Sequence, residues 1–379
     1  EAGDGADVRD RYLAHYLAVA ERAERELYGA GMARWLAPLS ADFDNFRAAL
    51  EWAIGAGRAG EALRLSAALR LYCEATARWT EGRMHLEAAL AMSDGAPAVR
   101  AKALIDASHI CTYLGDWQGM LGFADEALAL AEQMGDDRGA GRALELKAFA
   151  LVFIDPARAF ELFPRALEIL RPLDDGSPDD GWFLADALYC FGMLMMLAGR
   201  LSPARALQEE ALAISRRDGN LLGIRESLTW LGFTELHLGR FSVSRELCEE
   251  AFVRARDLGD PYFMSFALAF LGYGAAMTGE HERARAQLEE AERLARGSMT
   301  PYLPLIRWYR AWHAYVLGDV AQASALAVEV MPYLEHMHNV WAIVWALAMG
   351  VAAADAAGDI DGARARAEQA EAVARRAAH

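Results

Sequence analysis

Several groups of side chains in the 379-residue sequence have the types that act as acids, bases or metal ligands. They are three carboxylate pairs and two histidines: Asp174-Asp175, Asp179-Asp180, Glu249-Glu250, His336 and His338. Neighbouring carboxylates in a loop or on a polar helix face are typical of a solvated surface. Two histidines that are two positions apart point to different faces of a helix, so they are poor co-ligands of one metal ion.

The motifs that identify common enzymes and nucleotide-binding proteins are missing from the sequence. There is no GxxxxGK[ST] phosphate loop, and both lysines, Lys102 and Lys147, stand in a different context. The metalloprotease motif HExxH and the nucleophile motif GxSxG do not occur either. Because no nucleophile, base and orienting group can be assigned together, we predict no enzymatic activity, no cofactor and no metal ion.

The charge balance disfavours a protein that binds phosphate backbones. The sequence has 38 Lys and Arg residues against 54 Asp and Glu residues, which gives a formal net charge of −16 at pH 7. Non-specific affinity for nucleic acids comes from cationic side chains that displace counterions. We therefore predict that the chain does not bind nucleic acid directly.

The cysteines and the longest apolar run bear on the cellular location. Cys73, Cys111, Cys190 and Cys248 are far apart in the sequence and indicate core thiols of a reduced, cytoplasmic protein. The uncharged run from Pro261 to Gly279 is long enough to raise the question of a membrane helix. It falls in phase with a repeat whose other copies carry charges, so we predict a buried helix and no membrane association.

A turn of glycine and a charged residue recurs with a period of about forty residues. The turn glycines are Gly115, Gly199, Gly239, Gly279, Gly318 and Gly358. Asp155-Pro156 fills the gap between the first two of them. Each unit has the pattern of two helices, an apolar one before the turn and a more charged, amphipathic one after it.

Small residues at fixed distances from the turn carry a resemblance to the tetratricopeptide repeat (TPR). Gly192, Gly232 and Gly272 lie seven residues before a turn glycine. Five alanines lie twelve residues after one: Ala127, Ala211, Ala251, Ala291 and Ala370. The pattern resembles a TPR lengthened from about 34 to about 40 residues, over residues 97–379. We predict an all-α fold, a right-handed superhelix of antiparallel helix pairs.

The first ninety or so residues resemble the segment after the ATPase module of signal-transduction ATPases with numerous domains (STAND proteins). The matching stretches are residues 11–55 and 62–91, and the most specific parts are Asp44-Asn45-Phe46-Arg47-Ala48-Ala49-Leu50 and Glu81-Gly82-Arg83. The family is that of the actinobacterial transcriptional regulators of the AfsR, MalT and LuxR types. The resemblance implies an upstream ATPase module and a DNA-binding effector domain in the same polypeptide. It predicts a helical adaptor at residues 1–56 and the repeat superhelix at residues 57–379.

Positions on the first helix of each unit that face the concave surface form the predicted binding site. They are rich in aromatic residues and methionine: Tyr113, Phe149, Tyr189, Met193, Phe233, His237, Tyr273, Met277, Trp308, Trp312 and Tyr315. The polar groove candidates are Arg142, Glu145, Asp186 and Glu226, and further inward positions include Lys102, His109 and Trp345. Apolar area with a few orienting polar groups suits a largely apolar small effector. Aromatic stripes at helical spacing are also typical of packing between helices, and this interpretation stays open.

Two functions fit this pattern. The first is a ligand-sensing, regulatory helical-repeat domain of a multidomain transcriptional regulator, with the effector in its concave groove. The alternative is a protein–protein interaction scaffold, or a module for self-assembly or autoinhibition, without a small-molecule ligand. A closed pocket would favour the effector, whereas an open groove with an exposed apolar face would favour a partner protein.

Overall fold

A computed structural model describes residues 2–92, 95–297, 302–336 and 340–377. In these ranges the chain forms α-helices and one short 3-10 turn at Arg171–Leu173, and it contains no β-strand. His338 lies outside the described residues. The predicted all-α class is therefore confirmed.

The helices of residues 2–92 precede the repeats. They are α1 (Ala2–Leu27), α2 (Met32–Ala41), α3 (Phe43–Gly55), α4 (Ala59–Ala68), α5 (Arg70–Ala75) and α6 (Trp79–Leu90). Helix α1 packs against α3 and α4 because Leu13, Leu17 and Ala20 recur at helical spacing and are buried. Its polar side is fixed by Asp10, which accepts a hydrogen bond from the Trp52 indole at 2.9 Å.

Helix pairs fill the chain from residue 97 to residue 377. The pairs are α7 (Pro97–Leu114) with α8 (Trp117–Met134), α9 (Asp137–Val152) with α10 (Pro156–Leu170), α11 (Pro178–Leu197) with α12 (Leu201–Asp218), α13 (Leu221–His237) with α14 (Phe241–Leu258), α15 (Pro261–Met277) with α16 (His281–Gly297), α17 (Leu303–Val316) with α18 (Val320–His336), and α19 (Val340–Ala356) with α20 (Ile360–Ala377). This succession matches the predicted TPR-like helix pairs.

The predicted turns lie between the two helices of each pair. Each of the six turn glycines has a φ angle between 66° and 81°, in the left-handed region that only glycine adopts at little cost. The turn without glycine uses Asp155 instead, whose side chain accepts a hydrogen bond from the Arg158 amide at the start of α10.

The predicted small residues bring the helices of a pair together. A Cβ atom at Gly232 of α13 would lie 2.6 Å from Cys248 Sγ of α14. A Cβ atom at Gly272 of α15 would likewise lie 2.7 Å from Leu288 Cγ of α16. Because no side chain fits at these contacts, the glycines set the close approach that a TPR-like pair needs.

Two compact units divide the chain. Unit 1 comprises Glu1–Ser227 and Asp257–Asp260, and unit 2 comprises Leu228–Arg256 and Pro261–His379. The division falls within α13. Residues 1–56 belong to unit 1 together with the first repeats, and their role as an adaptor for an ATPase module stays a prediction.

Two helices are strongly apolar. Helix α11 is long and apolar enough to cross a membrane by length and composition, and 78% of its most apolar window is buried inside the protein. Helix α15 covers the apolar run from Pro261 that the sequence analysis interprets as a repeat helix. Most of its side chains are buried against other helices, as predicted.

Candidate functional site

Unit 1 contains a group of charged and polar side chains that are all buried, which we call the charged core. Its members are Arg70, Glu74, Asp106, His109, Tyr113, Arg142, Glu145, Asp186, Arg225, Glu226 and Asp260. None is more than 5% exposed. Charges at such depth are stable only when they are paired and hydrogen-bonded, so their partners decide what the site can do.

Helical spacing places several of these residues on common faces. On α5, Arg70 and Glu74 are four residues apart, and Arg70 Nη1 lies 2.6 Å from Glu74 Oε2. Arg70 Nε also lies 2.9 Å from Asp106 Oδ1 of α7. Lys102, one turn before Asp106, lies 2.9 Å from its other oxygen and 2.6 Å from Glu24 of α1. These ion pairs connect α1, α5 and α7.

Glu74 is a buried carboxylate whose ionised form is stabilised by several neighbours. It accepts a hydrogen bond from the Tyr113 hydroxyl at 2.9 Å, and His109 Nε2 lies 3.3 Å from its other oxygen. Burial by itself raises the pKa of Glu74, but His109 and Arg70 outweigh burial and lower that pKa to about 2.

Arg142 of α9 is shared between several partners. Its guanidinium contacts Glu145, one turn further along α9, and Asp186 of α11. It also contacts Nδ1 of His109. Burial raises the pKa of Glu145 to about 8, and the nearby carboxylate of Asp186 acts in the same direction against the opposing charge of Arg142.

The charged core extends into the second turn of α13. Arg225 lies 2.8 Å from Glu226 and also contacts Asp260. The Tyr113 hydroxyl lies 3.1 Å from Glu226 Oε1, so it stands between Glu226 and Glu74. Burial raises the pKa of Glu226 to about 8, with the Glu74 carboxylate adding to the effect against the charge of Arg225.

A cleft of about 380 Å³ opens beside the charged core in unit 1. Four cationic and four anionic side chains line it: Arg25, Lys102, Arg138, Arg142, Glu24, Asp106, Asp136 and Asp179. Two aromatic rings, Tyr28 and Phe183, complete the walls with small apolar residues. The volume is within the range of ligand-binding pockets.

The cleft walls come from the C-terminal end of α1 with the adjoining Tyr28, from the first three turns of α7, and from the N-terminal parts of α9 and α11. Asp136 begins α9 by accepting a hydrogen bond from the Gly139 amide at 3.0 Å, which directs Arg138 and Arg142 towards the cleft. The guanidinium of Arg138 lies 5.1 Å from the centre of the Phe183 ring and pairs with Asp179 at 2.5 Å. Charges of both signs and an aromatic surface are thus held in place around the opening.

Unit 2 contains a contrasting group, which we call the aromatic cluster. Its members are Phe233, His237, Phe270, Tyr273, Trp308, Tyr309, Trp312, Tyr315 and Trp345. Phe233 stacks on Phe270 with ring centres 4.3 Å apart, and Trp312 meets Trp345 edge-to-face at 4.7 Å. The Trp312 indole nitrogen also lies 3.1 Å from Met277 Sδ. Burial lowers the pKa of His237, which favours its neutral form.

The structure divides the predicted site residues between the two units. Tyr113, Arg142, Glu145, Asp186 and Glu226 meet in the charged core. The remaining members in unit 1 are buried in helix packing: Phe149 beside Trp117 and Phe153, and Tyr189 and Met193 on α11.

In unit 2 the predicted residues join the aromatic cluster, with differences in burial. Trp308 and Trp312 are buried, whereas His237 and Tyr315 are half-buried. Met277 is 42% exposed at the edge of the cluster. In the described ranges, no group of three or more His, Cys, Asp or Glu side chains is arranged to hold a metal ion.

Several important residues were not predicted from the sequence. They are Arg70, Glu74, Arg225 and Asp260 of the charged core, and Arg138 and Phe183 of the cleft. The sequence feature that could have identified such residues is a charged side chain inside an apolar stretch, as in Arg70-Leu71-Tyr72-Cys73-Glu74. A charged pair within such a run indicates burial with a partner rather than exposure.

No protein-family model matches the chain, and no curated protein matches it significantly. Solved structures are similar in fold. A Rap protein complexed with Competence and Sporulation Factor has a TM-score of 0.56 at 13% identity, over 88% of this chain and 99% of that one. The Rap conjugation gene regulator of plasmid pLS20, in complex with the Phr* peptide, has a TM-score of 0.54 at 13% identity, over 85% and 96%.

A STAND protein with a TPR sensor from Pyrococcus horikoshii is also similar, with a TM-score of 0.45 and 16% identity. That match covers 82% of this chain and 53% of the STAND protein. At these identities the comparisons with the Rap proteins show the fold alone, which is a TPR-like helical repeat. The TM-score of the STAND protein is too low to carry an argument.

Proposed function

We propose that this chain is a regulatory helical-repeat domain and that the cleft of unit 1 binds a short peptide segment of mixed charge. The observation that carries the proposal is the cleft itself, in which four cations and four anions surround Tyr28 and Phe183. A peptide offers charges of both signs, backbone hydrogen-bonding groups and apolar side chains within a short distance. A purely apolar molecule would offer no hydrogen-bonding groups to the charged side chains that line this cleft.

The fold comparison supports a peptide as the ligand to test first. The similar Rap regulator of plasmid pLS20 was solved with the Phr* peptide. In this chain, Arg142 lines the cleft and also contacts Glu145 and Asp186 in the charged core. A ligand that contacts Arg142 would therefore perturb the ion pair between Arg142 and Asp186, which connects α9 with α11. In this way binding would change how these two repeat helices pack.

The experiment is a fluorescence anisotropy titration with short labelled peptides that carry both acidic and basic residues. For peptides that bind, we expect Phe183→Ala and Arg138→Gln each to weaken the affinity about tenfold. Such a loss corresponds to about 1.4 kcal/mol, the scale of one cation–π or charged contact. Arg285→Gln, on the exposed side of α16 in unit 2, is the matched control and should leave the affinity unchanged. Equal affinities in all variants, or no binding peptide at all, would contradict the proposal.

The aromatic cluster of unit 2 supports a second candidate, the largely apolar small effector. The favourable observation is the exposed Met277 beside Trp312, with the half-buried His237 and Tyr315 on the same cluster. An apolar probe such as anilinonaphthalene sulfonate bound there would quench tryptophan emission and raise the melting temperature. Met277→Gln should abolish both effects. If Met277→Gln leaves them unchanged, the probe binds elsewhere and this candidate fails.

The wider assignment rests on the resemblance of residues 11–55 and 62–91 to STAND regulators. On that basis we propose that an ATPase module and a DNA-binding effector domain accompany this chain in one cytoplasmic polypeptide. The chain itself is proposed to have no enzymatic activity and no direct contact with nucleic acid. A scaffold for a partner protein, or for self-assembly or autoinhibition, is the alternative if neither peptide nor apolar probe binds.

A further inference from the structure

We propose that the charged core of the free protein binds two protons at neutral pH, one on Glu226 beside Tyr113 and one held by the pair Glu145 and Asp186. The proposal concerns the protein without any ligand and does not depend on what the cleft binds. It rests on the hydrogen-bond geometry around one hydroxyl group and one guanidinium group.

The first proton follows from the position of the Tyr113 hydroxyl. This hydroxyl lies 2.9 Å from Glu74 Oε1 and 3.1 Å from Glu226 Oε1. A hydroxyl group has one hydrogen, so it can donate to only one of these two oxygens. The other carboxyl group must donate to the hydroxyl oxygen, because two lone pairs at this distance repel each other. One of the two glutamates therefore carries a proton.

The surrounding groups indicate which glutamate that is. Arg142 contacts Nδ1 of His109, and a guanidinium has only donors, so Nδ1 is an acceptor and the ring proton is on Nε2. Nε2 faces Glu74, which Arg70 also contacts. Glu74 is thus surrounded by donors and is ionised. Glu226 accepts a hydrogen bond from Arg225, but that guanidinium is shared with Asp260, so we assign the proton to Glu226.

The second proton follows from the sharing of Arg142. Its Nη1 atom contacts both Glu145 Oε2 and Asp186 Oδ2, which brings two carboxyl groups to one nitrogen. Glu145 Oε1 and Asp186 Oδ1, the other oxygens of the two carboxyl groups, are both buried without a hydrogen-bond partner. Because the two carboxyl groups share one cation in a buried site, the charge of either group disfavours ionisation of the other.

The helices around these groups carry more carboxyl groups than cations. The buried cations are Arg70, Arg142 and Arg225, and the exposed Lys102 of α7 is shared between Asp106 and Glu24 of α1. The buried carboxyl groups are Glu74, Asp106, Glu145, Asp186, Glu226 and Asp260, and the other polar groups beside them are His109, Tyr113, Tyr189 and Cys190. The buried carboxyl groups therefore outnumber the cations that face them. Burial raises the pKa of Glu145 and of Glu226 to about 8, in agreement with this count.

The consequence is a release of protons when the protein unfolds at neutral pH. In the unfolded chain these two carboxyl groups return to the ordinary pKa of 4.5 and ionise at pH 7. Because the folded pKa values are raised, the stability of the protein falls as the pH rises from about 4.5 to about 8.

The experiment is a potentiometric measurement of protons released on urea unfolding at pH 7. Glutamine has the shape of a protonated glutamate and keeps a donor, so Glu145→Gln and Glu226→Gln should each release about one proton fewer than the parent protein. The double variant should release about two fewer. Glu249→Gln, which changes an exposed ion pair with Arg283, is the control and should leave the count unchanged.

A proton count that is the same in the double variant and in the parent protein would overturn the proposal. A second measurement does not require the variants to fold. The infrared spectrum of the folded parent protein at pH 7 should contain the carbonyl stretching band of protonated carboxyl groups, and this band should disappear as the pH is raised above about 8. Absence of that band at pH 7 would also overturn the proposal.

Discussion

Unit 1 and unit 2 place different side chains at the same position of the helical repeat. Thirteen residues before the turn, unit 1 has charged residues in successive repeats: Lys102, Arg142, Asp186 and Glu226. The equivalent residues in unit 2 are apolar: Phe266, Leu305 and Trp345. The repeat determines where these side chains lie, whereas their chemistry determines whether the interior depends on ion pairs or on aromatic packing.

Substitutions in the charged core and in the aromatic cluster should lower the stability of the protein for different reasons. A buried ion network is stable only while its charges are balanced, since the loss of one partner leaves an uncompensated charge. An aromatic cluster is stabilised by many small contacts and by buried area. The loss of stability on truncating one of its side chains therefore depends on the size of the cavity that is left. The following predictions test this contrast, beginning with the largest expected effect.

Arg142→Ala should be the most destabilising of these changes. It removes the guanidinium that Glu145 and Asp186 share and leaves both carboxyl groups buried without it. We expect a loss of about 4–5 kcal/mol in the free energy of unfolding, measured by urea denaturation. The exposed Arg285→Ala should change it by under about 0.5 kcal/mol. A loss under about 1 kcal/mol for Arg142→Ala would show that the charged core is not an interdependent network.

Trp312→Ala should have the next largest effect, because the structure places Trp312 inside the aromatic cluster. It is 7% exposed and contacts Tyr273, Trp308 and Trp345. Truncation leaves a cavity, and we expect a loss of about 3–4 kcal/mol in thermal or urea unfolding. Met277→Ala, at the exposed edge, is the matched comparison and should cost under about 1 kcal/mol. A loss under about 1.5 kcal/mol for Trp312→Ala would instead favour a ligand pocket at this residue.

Tyr113→Phe should have a smaller effect that depends on pH. The change keeps the ring, which stacks on Trp79 with centres 5.2 Å apart, and removes the hydroxyl between Glu74 and Glu226. We expect a loss of about 1–2 kcal/mol at pH 6, measured by urea unfolding. The pKa of Glu226 should also change, so the slope of stability against pH between 6 and 9 should differ from that of the parent protein. An unchanged slope would show that the Tyr113 hydroxyl does not influence the protonation of Glu226.

The helix pairs could be predicted because their signals are local. Gly239 marks a turn, and Gly232 and Ala251 lie at fixed distances from it, so a single repeat already contains the pattern. The structure places these residues as predicted, with a left-handed Gly239 and a close contact at Gly232.

The candidate site could be predicted only in part, because its contacts join distant parts of the chain. Arg142 and Glu226 were placed at inward positions, but their burial depends on partners that no local pattern reveals. Tyr113 and Glu226 are 113 residues apart, and Arg142 and Asp186 are 44 apart. Phe183 follows an enlarged acidic loop, so the repeat spacing gave no indication that it reaches the cleft.

Hydrogen–deuterium exchange with and without a bound mixed-charge peptide tests most directly whether the ligand site lies in unit 1. We predict slower exchange in the segments that line the cleft, residues 98–106, 136–142 and 178–183, with little change in residues 303–316 of the aromatic cluster. Slower exchange confined to residues 303–316, with the cleft segments unchanged, would contradict the account and assign the site to unit 2.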